Sequence, residues 1–160
     1  MTRRTKSSLA TALRQNRPFV SLEQEVYLSI VRTASELSYA VDRYFRPFDI
    51  TPSQYNVLRI LRGVGADGLC RNEISARMVT ATPDMSRLLD RMEKAGWVTR
   101  ERADDDRRQV STYITKSGME LLETLETPTR DFVTQLFAEA PVSDLKAVLK
   151  VNDQIRTKLS

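Results

Sequence analysis

Four arginines are the residues of this chain best suited to chemistry with a polyanion. Arg87 and Arg91 stand one helical turn apart, and Arg107 and Arg108 adjoin in a charged stretch, Ala103-Asp104-Asp105-Asp106-Arg107-Arg108. A guanidinium pairs bidentately with guanine or grips phosphate, and a good base pair contact discriminates by about 1–3 kcal/mol. Just before Arg87 lie Thr82, Pro83, Asp84 and Ser86, small or polar residues that can approach base edges at a helix start. Asp84 can accept from a cytosine amine or cap its own helix. A plainer reading also stands: Arg87 and Arg91 form a solvated face paired with acids such as Asp84 and Asp90. Three adjacent aspartates repel phosphate. Asp106 has a use if it bonds turn amides or orients Arg108, while Asp104 and Asp105 suit only a turn.

Composition removes most other chemistry. The 160 residues contain no histidine and one cysteine, Cys70. Serine–histidine and cysteine–histidine nucleophile pairs, the usual zinc ligand sets and a disulfide framework are therefore excluded. The five glycines are scattered and build no phosphate loop. The chain reads as a non-enzyme, with no cofactor and no metal. No apolar run is long enough for a membrane helix, and the basic start has no apolar segment behind it, so a cytoplasmic protein with no membrane partner is expected. The net charge is +4, but residues 1–19 hold Arg3, Arg4, Lys6, Arg14 and Arg17 with no acid. The basic excess belongs to this arm (1–19), which is either a flexible solvated end or a phosphate contact.

The elements that must position these residues are legible from periodicity. Leu22, Val26, Ile30, Ala34, Leu37, Val41 and Phe45 step by three or four and predict a helix over 22–45, opened by Ser21 with Gln24 and stopped by Pro47. Thr51-Pro52 with Gln54 opens a second helix, which ends in the glycine-bearing stretch 63–68. A short amphipathic segment, Glu73 to Met78, comes next. About four residues later, Thr82 as cap and Pro83 as first helical residue open a helix burying Met85, Leu88, Leu89 and Met92. Residues 97–102 form a strand-like run and 109–115 alternate, with Val110, Thr112 and Ile114 on one face, as two strands of a hairpin whose tip carries the aspartates and arginines. Beyond it, a helix begins at Met119, Pro128 is expected to kink or break it, and Leu145, Val148, Asn152, Ile155 and Leu159 form a heptad seam. Such a seam packs on its own chain or on a second copy.

Two short helices followed by a two-stranded hairpin are the order of a winged helix-turn-helix, whose second helix enters the major groove while the wing tip meets the minor groove. The runs Glu73-Ile74-Ser75-Ala76-Arg77-Met78 and Met85 to Val98, with Asp106-Arg107-Arg108, Ile114-Thr115 and Gly118, resemble the MarR family of transcriptional regulators. That resemblance implies a mainly α fold with a winged helix-turn-helix domain, a two-stranded β wing and N- and C-terminal dimerisation helices. It places the arm at 1–19 and one domain at 20–160, with dimerisation helices at 20–50 and 116–160 and the winged part at 51–115. It implies a homodimer on a near-palindromic double-stranded operator, acting as a repressor released by a small aromatic or phenolic effector. Ser86 and Arg87 match base-reading and phosphate positions, Arg108 the wing-tip arginine, and Asp106 the wing aspartate.

Two departures from the family pattern matter. Val79 stands where glycine is frequent, so a positive φ there would be costly. Cys70 lies before the short helix rather than early in the first one, and is either a sensor thiol beside Arg71 or a small packed residue. Tyr39, Phe45, Tyr55 and Arg59 are the candidate effector-binding residues, aromatic walls with a carboxylate partner. Aromatics at this spacing also serve as core. The rival to a DNA-binding regulator is a helical dimeric protein-interaction scaffold, and arginines on both the helix and the hairpin argue against it.

Overall fold

A computed structural model describes residues 8–102 and 110–160. Seven α-helices and three strands are present among them: α1 (Ser8–Ala12), α2 (Leu22–Phe45), α3 (Pro52–Val64), β1 (Leu69–Cys70), α4 (Arg71–Arg77), α5 (Met85–Lys94), β2 (Val98–Arg102), β3 (Val110–Ile114), α6 (Lys116–Leu136) and α7 (Val142–Leu159). The chain divides into two compact units, Met1–Asn56 and Val57–Ser160. Mainly α with a small antiparallel sheet is the architecture expected.

Local signals set the helix starts. Ser21 accepts from the Gln24 N–H at 3.2 Å, and the Gln24 amide oxygen accepts from the Val20 N–H at 2.8 Å. Thr51 and Gln54 form a complete reciprocal cap, with Thr51 N–H donating to Gln54 Oε1 at 2.8 Å and Gln54 N–H to Thr51 Oγ1 at 3.2 Å. Each such cap satisfies amides that a helix start leaves without partners. Within the first unit, Phe45 is buried and stacks at 4.9 Å on the buried Tyr55 ring. Otherwise α2 is a largely exposed helix, with Leu22, Tyr27 and Val31 open. The arm is not wholly without structure, because α1 forms at residues 8–12 and buries Ala10.

The second unit has the larger core: Val57, Leu58, Leu61, Ile74, Leu88, Leu89, Met92, Val98, Leu122 and Leu125 are all nearly inaccessible. Burying each such side chain contributes about 1.5–3 kcal/mol before entropy is counted. The sheet is three-stranded, in the order β1-β3-β2. The expected hairpin is there, in antiparallel register from Val98 opposite Ile114 to Arg102 opposite Val110. The hairpin is two-stranded as expected, and a further short strand missed in the sequence joins it, Leu69 and Cys70 pairing with Thr112 and Ser111. Two residues are too few to show alternation, so only the tertiary pairing reveals this strand.

Of the kink or break expected at Pro128, the break does not occur: α6 runs through it from Lys116 to Leu136. A proline removes one helical hydrogen bond. Here the packed face of Leu122 and Leu125 continues beyond the proline in the half-buried Thr129 and Phe132, so packing carries the helix across the gap. Helix α7 buries no residue at all, and its seam residues Val148, Ile155 and Leu159 are exposed. Among the described residues, no helix is long and apolar enough to cross a membrane.

Candidate nucleic-acid interface

Helix α5 is held by its apolar stripe of Met85, Leu88, Leu89 and Met92, which leaves Arg87 and Arg91 on the outer side. Its start differs from expectation. The N-cap is Asp84, whose carboxylate accepts from the Arg87 N–H at 3.1 Å, and the helix begins at Met85. Thr82 instead donates its hydroxyl to the Thr80 carbonyl at 3.4 Å. An ionised carboxylate facing the positive helix end is the stronger cap, and it outcompetes the threonine two residues earlier. The connection from α4 is accordingly longer than four residues, running from 78 to 84. Met78 leaves α4 extended, at φ −66 and ψ 139, and Val79 takes no positive φ, so this turn needs no glycine.

The arginines of this surface are in different electrostatic states. Arg87 is highly exposed and pairs with Asp84 at 3.1 Å, as the plainer reading allowed. Arg91 turns back along its helix, its Nε donating to the Arg87 carbonyl at 3.3 Å. Asp90 pairs with neither, because Arg100 of β2 takes it at 2.7 Å together with Glu93. The Arg100 hydrogen bonds hold the Glu93 carboxyl below its ordinary range, and Glu93 raises the Arg100 guanidinium in turn. Ser86 accepts from Arg71 Nη1 at 3.2 Å, so the first residue of α4 reaches the first turn of α5.

Sequence reasoning missed Arg71 and Arg100. Arg100 left a trace: it shares a strand face with buried Val98, and two acids stand one turn apart on the preceding helix. Arg71 left none, since its partner is fifteen residues away.

The hairpin is anchored where α6 begins. Thr115 caps α6 by accepting from the Gly118 N–H at 3.1 Å, and its hydroxyl donates to the Gly96 carbonyl at 2.6 Å. The Thr115 N–H donates to the Trp97 carbonyl at 3.0 Å. Gly118 is compulsory for a steric reason, as a Cβ there would lie 2.2 Å from the Trp97 carbonyl oxygen. Gly68, at φ +62, faces the Tyr113 ring, which a Cβ would meet at 2.4 Å. The wing residues Asp106, Arg107 and Arg108 lie outside the described residues.

Of the candidate effector residues, Phe45 and Tyr55 are brought together, packed ring on ring and buried. Tyr39 is exposed, with the Arg43 guanidinium 5.9 Å from its ring centroid. Arg59 belongs to the second unit, where its charge helps lower the Glu126 carboxyl, although the hydrogen bonds from Arg62 dominate that shift. Cys70 is half-buried at the start of α4, and its N–H donates to Glu73 Oε2 at 2.8 Å.

Comparison with known proteins gives a consistent result. The MarR family model matches residues 48–109. The chain is similar to the MarR transcription factor from Planctomyces limnophilus, with 32% identity, a TM-score of 0.66, and coverage of 86% of this chain and 99% of that one. It is 26% identical to the HTH-type transcriptional regulator PecS of Dickeya dadantii, over 89% of each chain. The S. aureus MepR–DNA complex shares the fold, with a TM-score of 0.73 at 23% identity, covering 82% of this chain and 97% of that one.

Proposed function

Because this chain belongs to the MarR family of DNA-binding transcriptional regulators, we propose that it works as a homodimeric repressor of a near-palindromic operator, released by a small aromatic or phenolic effector. The observation that carries this reading is the first turn of α5, where Ser86 and the exposed Arg87 stand on a helix whose opposite side is locked into the core. A helix so presented fits the major groove, with Thr82, Pro83 and Asp84 at its leading end. Arg91, one turn on, suits phosphate, and Arg107 and Arg108 suit the minor groove, with Asp106 bonding turn amides or orienting Arg108. MepR, a protein of the same fold, was solved bound to DNA.

The dimer is supported by α7, an amphipathic helix without one buried residue in the single chain. Two α5 helices must then meet successive major grooves about 34 Å apart, so a modest change in their separation costs much affinity. The release half rests on the family and on exposed Tyr39, where an aromatic face and the Arg43 cation lie together as an aromatic acid would need.

Selection on random duplexes at two salt concentrations tests the reading. The expected result is a near-palindrome with half-sites about 10 bp apart, bound more weakly at high salt. Sequence-independent or absent binding would transfer the case to a protein-interaction scaffold. Titrating hydroxybenzoates into the selected complex tests release, and an affinity unchanged by the whole panel removes that half of the proposal.

A further inference from the structure

We propose that Arg71 is a specificity-determining residue of this surface, holding the Ser86 hydroxyl so that it meets the major groove as a hydrogen-bond donor. The inference rests on the DNA-binding reading of α5 and assigns a role to a residue on a different helix.

A guanidinium carries donors only, so in the 3.2 Å contact between Arg71 Nη1 and Ser86 Oγ the serine oxygen is the acceptor. The hydroxyl proton then turns away from Arg71, toward whatever acceptor faces the first turn of α5. The guanidinium is itself oriented, because Nε and Nη2 both donate to Asn72 Oδ1, at 3.4 and 3.2 Å. Asn72 thus fixes the plane of the fork while one Nη reaches across to α5. These residues, with Ser75, Thr82 and Asp84, line a polar concavity of about 310 Å³ between the starts of the two helices.

Charge separates Arg71 from its neighbours. Arg87 is paired with Asp84 and Arg100 with Asp90 and Glu93, whereas among the described residues no carboxylate lies within ion-pair distance of Arg71. Its positive charge, held by no ion pair, therefore adds to the potential beside Ser86. A donor hydroxyl next to an uncompensated guanidinium prefers a base edge made of acceptors. In the major groove guanine offers two acceptors, N7 and O6, and thymine only one, O4, beside its methyl group, whereas adenine and cytosine present amino donors that both groups oppose. The pair should accordingly select a G·C base pair in each half-site.

The test is duplex selection with the intact wild-type protein and three variants, Arg71→Lys, Arg71→Ala and Ser86→Ala, each first checked for an unchanged melting temperature. Arg71→Lys keeps the charge and the stem but loses the fork, so it serves if Arg71→Ala does not fold. The expected result is a tenfold or greater loss of preference at one and the same base pair for all three variants. Combining Arg71→Ala with Ser86→Ala should add little, since the two act as a unit. Replacing the selected guanine by 7-deazaguanine should weaken wild-type binding and leave the variants unaffected. Arg71 variants that bind every duplex more weakly but keep the wild-type preference would overturn the inference, leaving Arg71 a phosphate contact. So would a wild-type site in which the Ser86-dependent position is not G·C. A wild-type protein that selects no sequence would overturn the DNA-binding reading itself, and this inference with it.

Discussion

Arg100 on β2 donates from Nε to Glu93 Oε2 on α5 at 2.9 Å, and the same guanidinium meets Asp90 at 2.7 Å. One side chain therefore ties the first strand of the hairpin to the helix that carries Ser86 and Arg87. It also neutralises two acids of α5, the helix proposed above to meet DNA. The half-buried guanidinium makes its bonds in a setting less screened than a surface pair.

Replacing Arg100 by Met keeps the stem and removes the tie. Stability should fall by about 1 kcal/mol, at the upper end for partly exposed ion pairs. On the reading proposed above, in which hairpin and helix engage DNA together, DNA affinity should fall more than that loss explains. Thermal unfolding and a DNA titration on the same sample separate the two effects.

The same pair predicts a pH dependence. The Arg100 hydrogen bonds hold the folded Glu93 carboxyl below its ordinary 4.5, so the unfolded chain binds the proton more readily. The stabilisation is whole above that ordinary value and is lost as pH falls through the lowered one. Glu73, lowered chiefly by the Cys70 backbone N–H, and Glu126, lowered chiefly by Arg62, act in the same sense. Melting temperature followed from about pH 6 down to about pH 3 should drop less steeply in Glu93→Gln than in the wild type. Parallel curves would count against this role for Glu93.

Gly118→Ala should destabilise, although alanine is ordinarily the better helix former by up to about 1 kcal/mol. The added methyl would press on the Trp97 carbonyl, which is backbone and already hydrogen-bonded to Thr115. A loss of about 1–3 kcal/mol is expected in denaturant titration. An unchanged midpoint would show that the α6 start can shift without cost.

Asp84 has two separable duties, cap and counter-ion of Arg87. Asn caps nearly as well as Asp, so Asp84→Asn should keep stability while releasing the arginine, and binding at low salt should tighten several-fold. Asp84→Ala should lose about 1 kcal/mol of stability as the cap disappears. Equal affinity in Asp84→Asn and wild type would mean that Arg87 leaves Asp84 freely on binding.

Val148 and Ile155 are exposed on α7 in the single chain, so replacing both by Asp should leave the fold of the chain intact. Sedimentation should then report a monomer. Affinity for a two-half-site duplex should drop on the order of a hundredfold, because simultaneous engagement is lost. A dimer that survives this change would move the interface away from α7.

Much of this molecule was legible in the residue order, and the reason is range. The bounds of α2 follow from a three–four apolar step and from Ser21, and the start of α3 from Thr51, Pro52 and Gln54. The hairpin strands follow from a strand-like run and an alternating one on either side of a charged stretch. Each of these signals is complete within a few neighbouring residues, so secondary structure and the order of a winged helix-turn-helix can be read directly.

What escaped such reading depends on groups far apart in the chain. β1 exists only because Leu69 and Cys70 find Thr112 and Ser111. The α5 cap is Asp84 rather than Thr82, a choice between two neighbouring cap residues that residue type alone left open. Pro128 was absorbed because the packed stripe of α6 continues beyond it. The partners of Arg71 and Arg100 were decided by where α4 and β2 come to rest against α5. Residue types and their local spacing thus determined the main helices, the hairpin strands and the arginines of α5. Tertiary packing alone decided which arginines are neutralised, which are free and what each holds in place, because hydrogen bonds and ion pairs act over a few ångströms of space, whatever the distance along the chain.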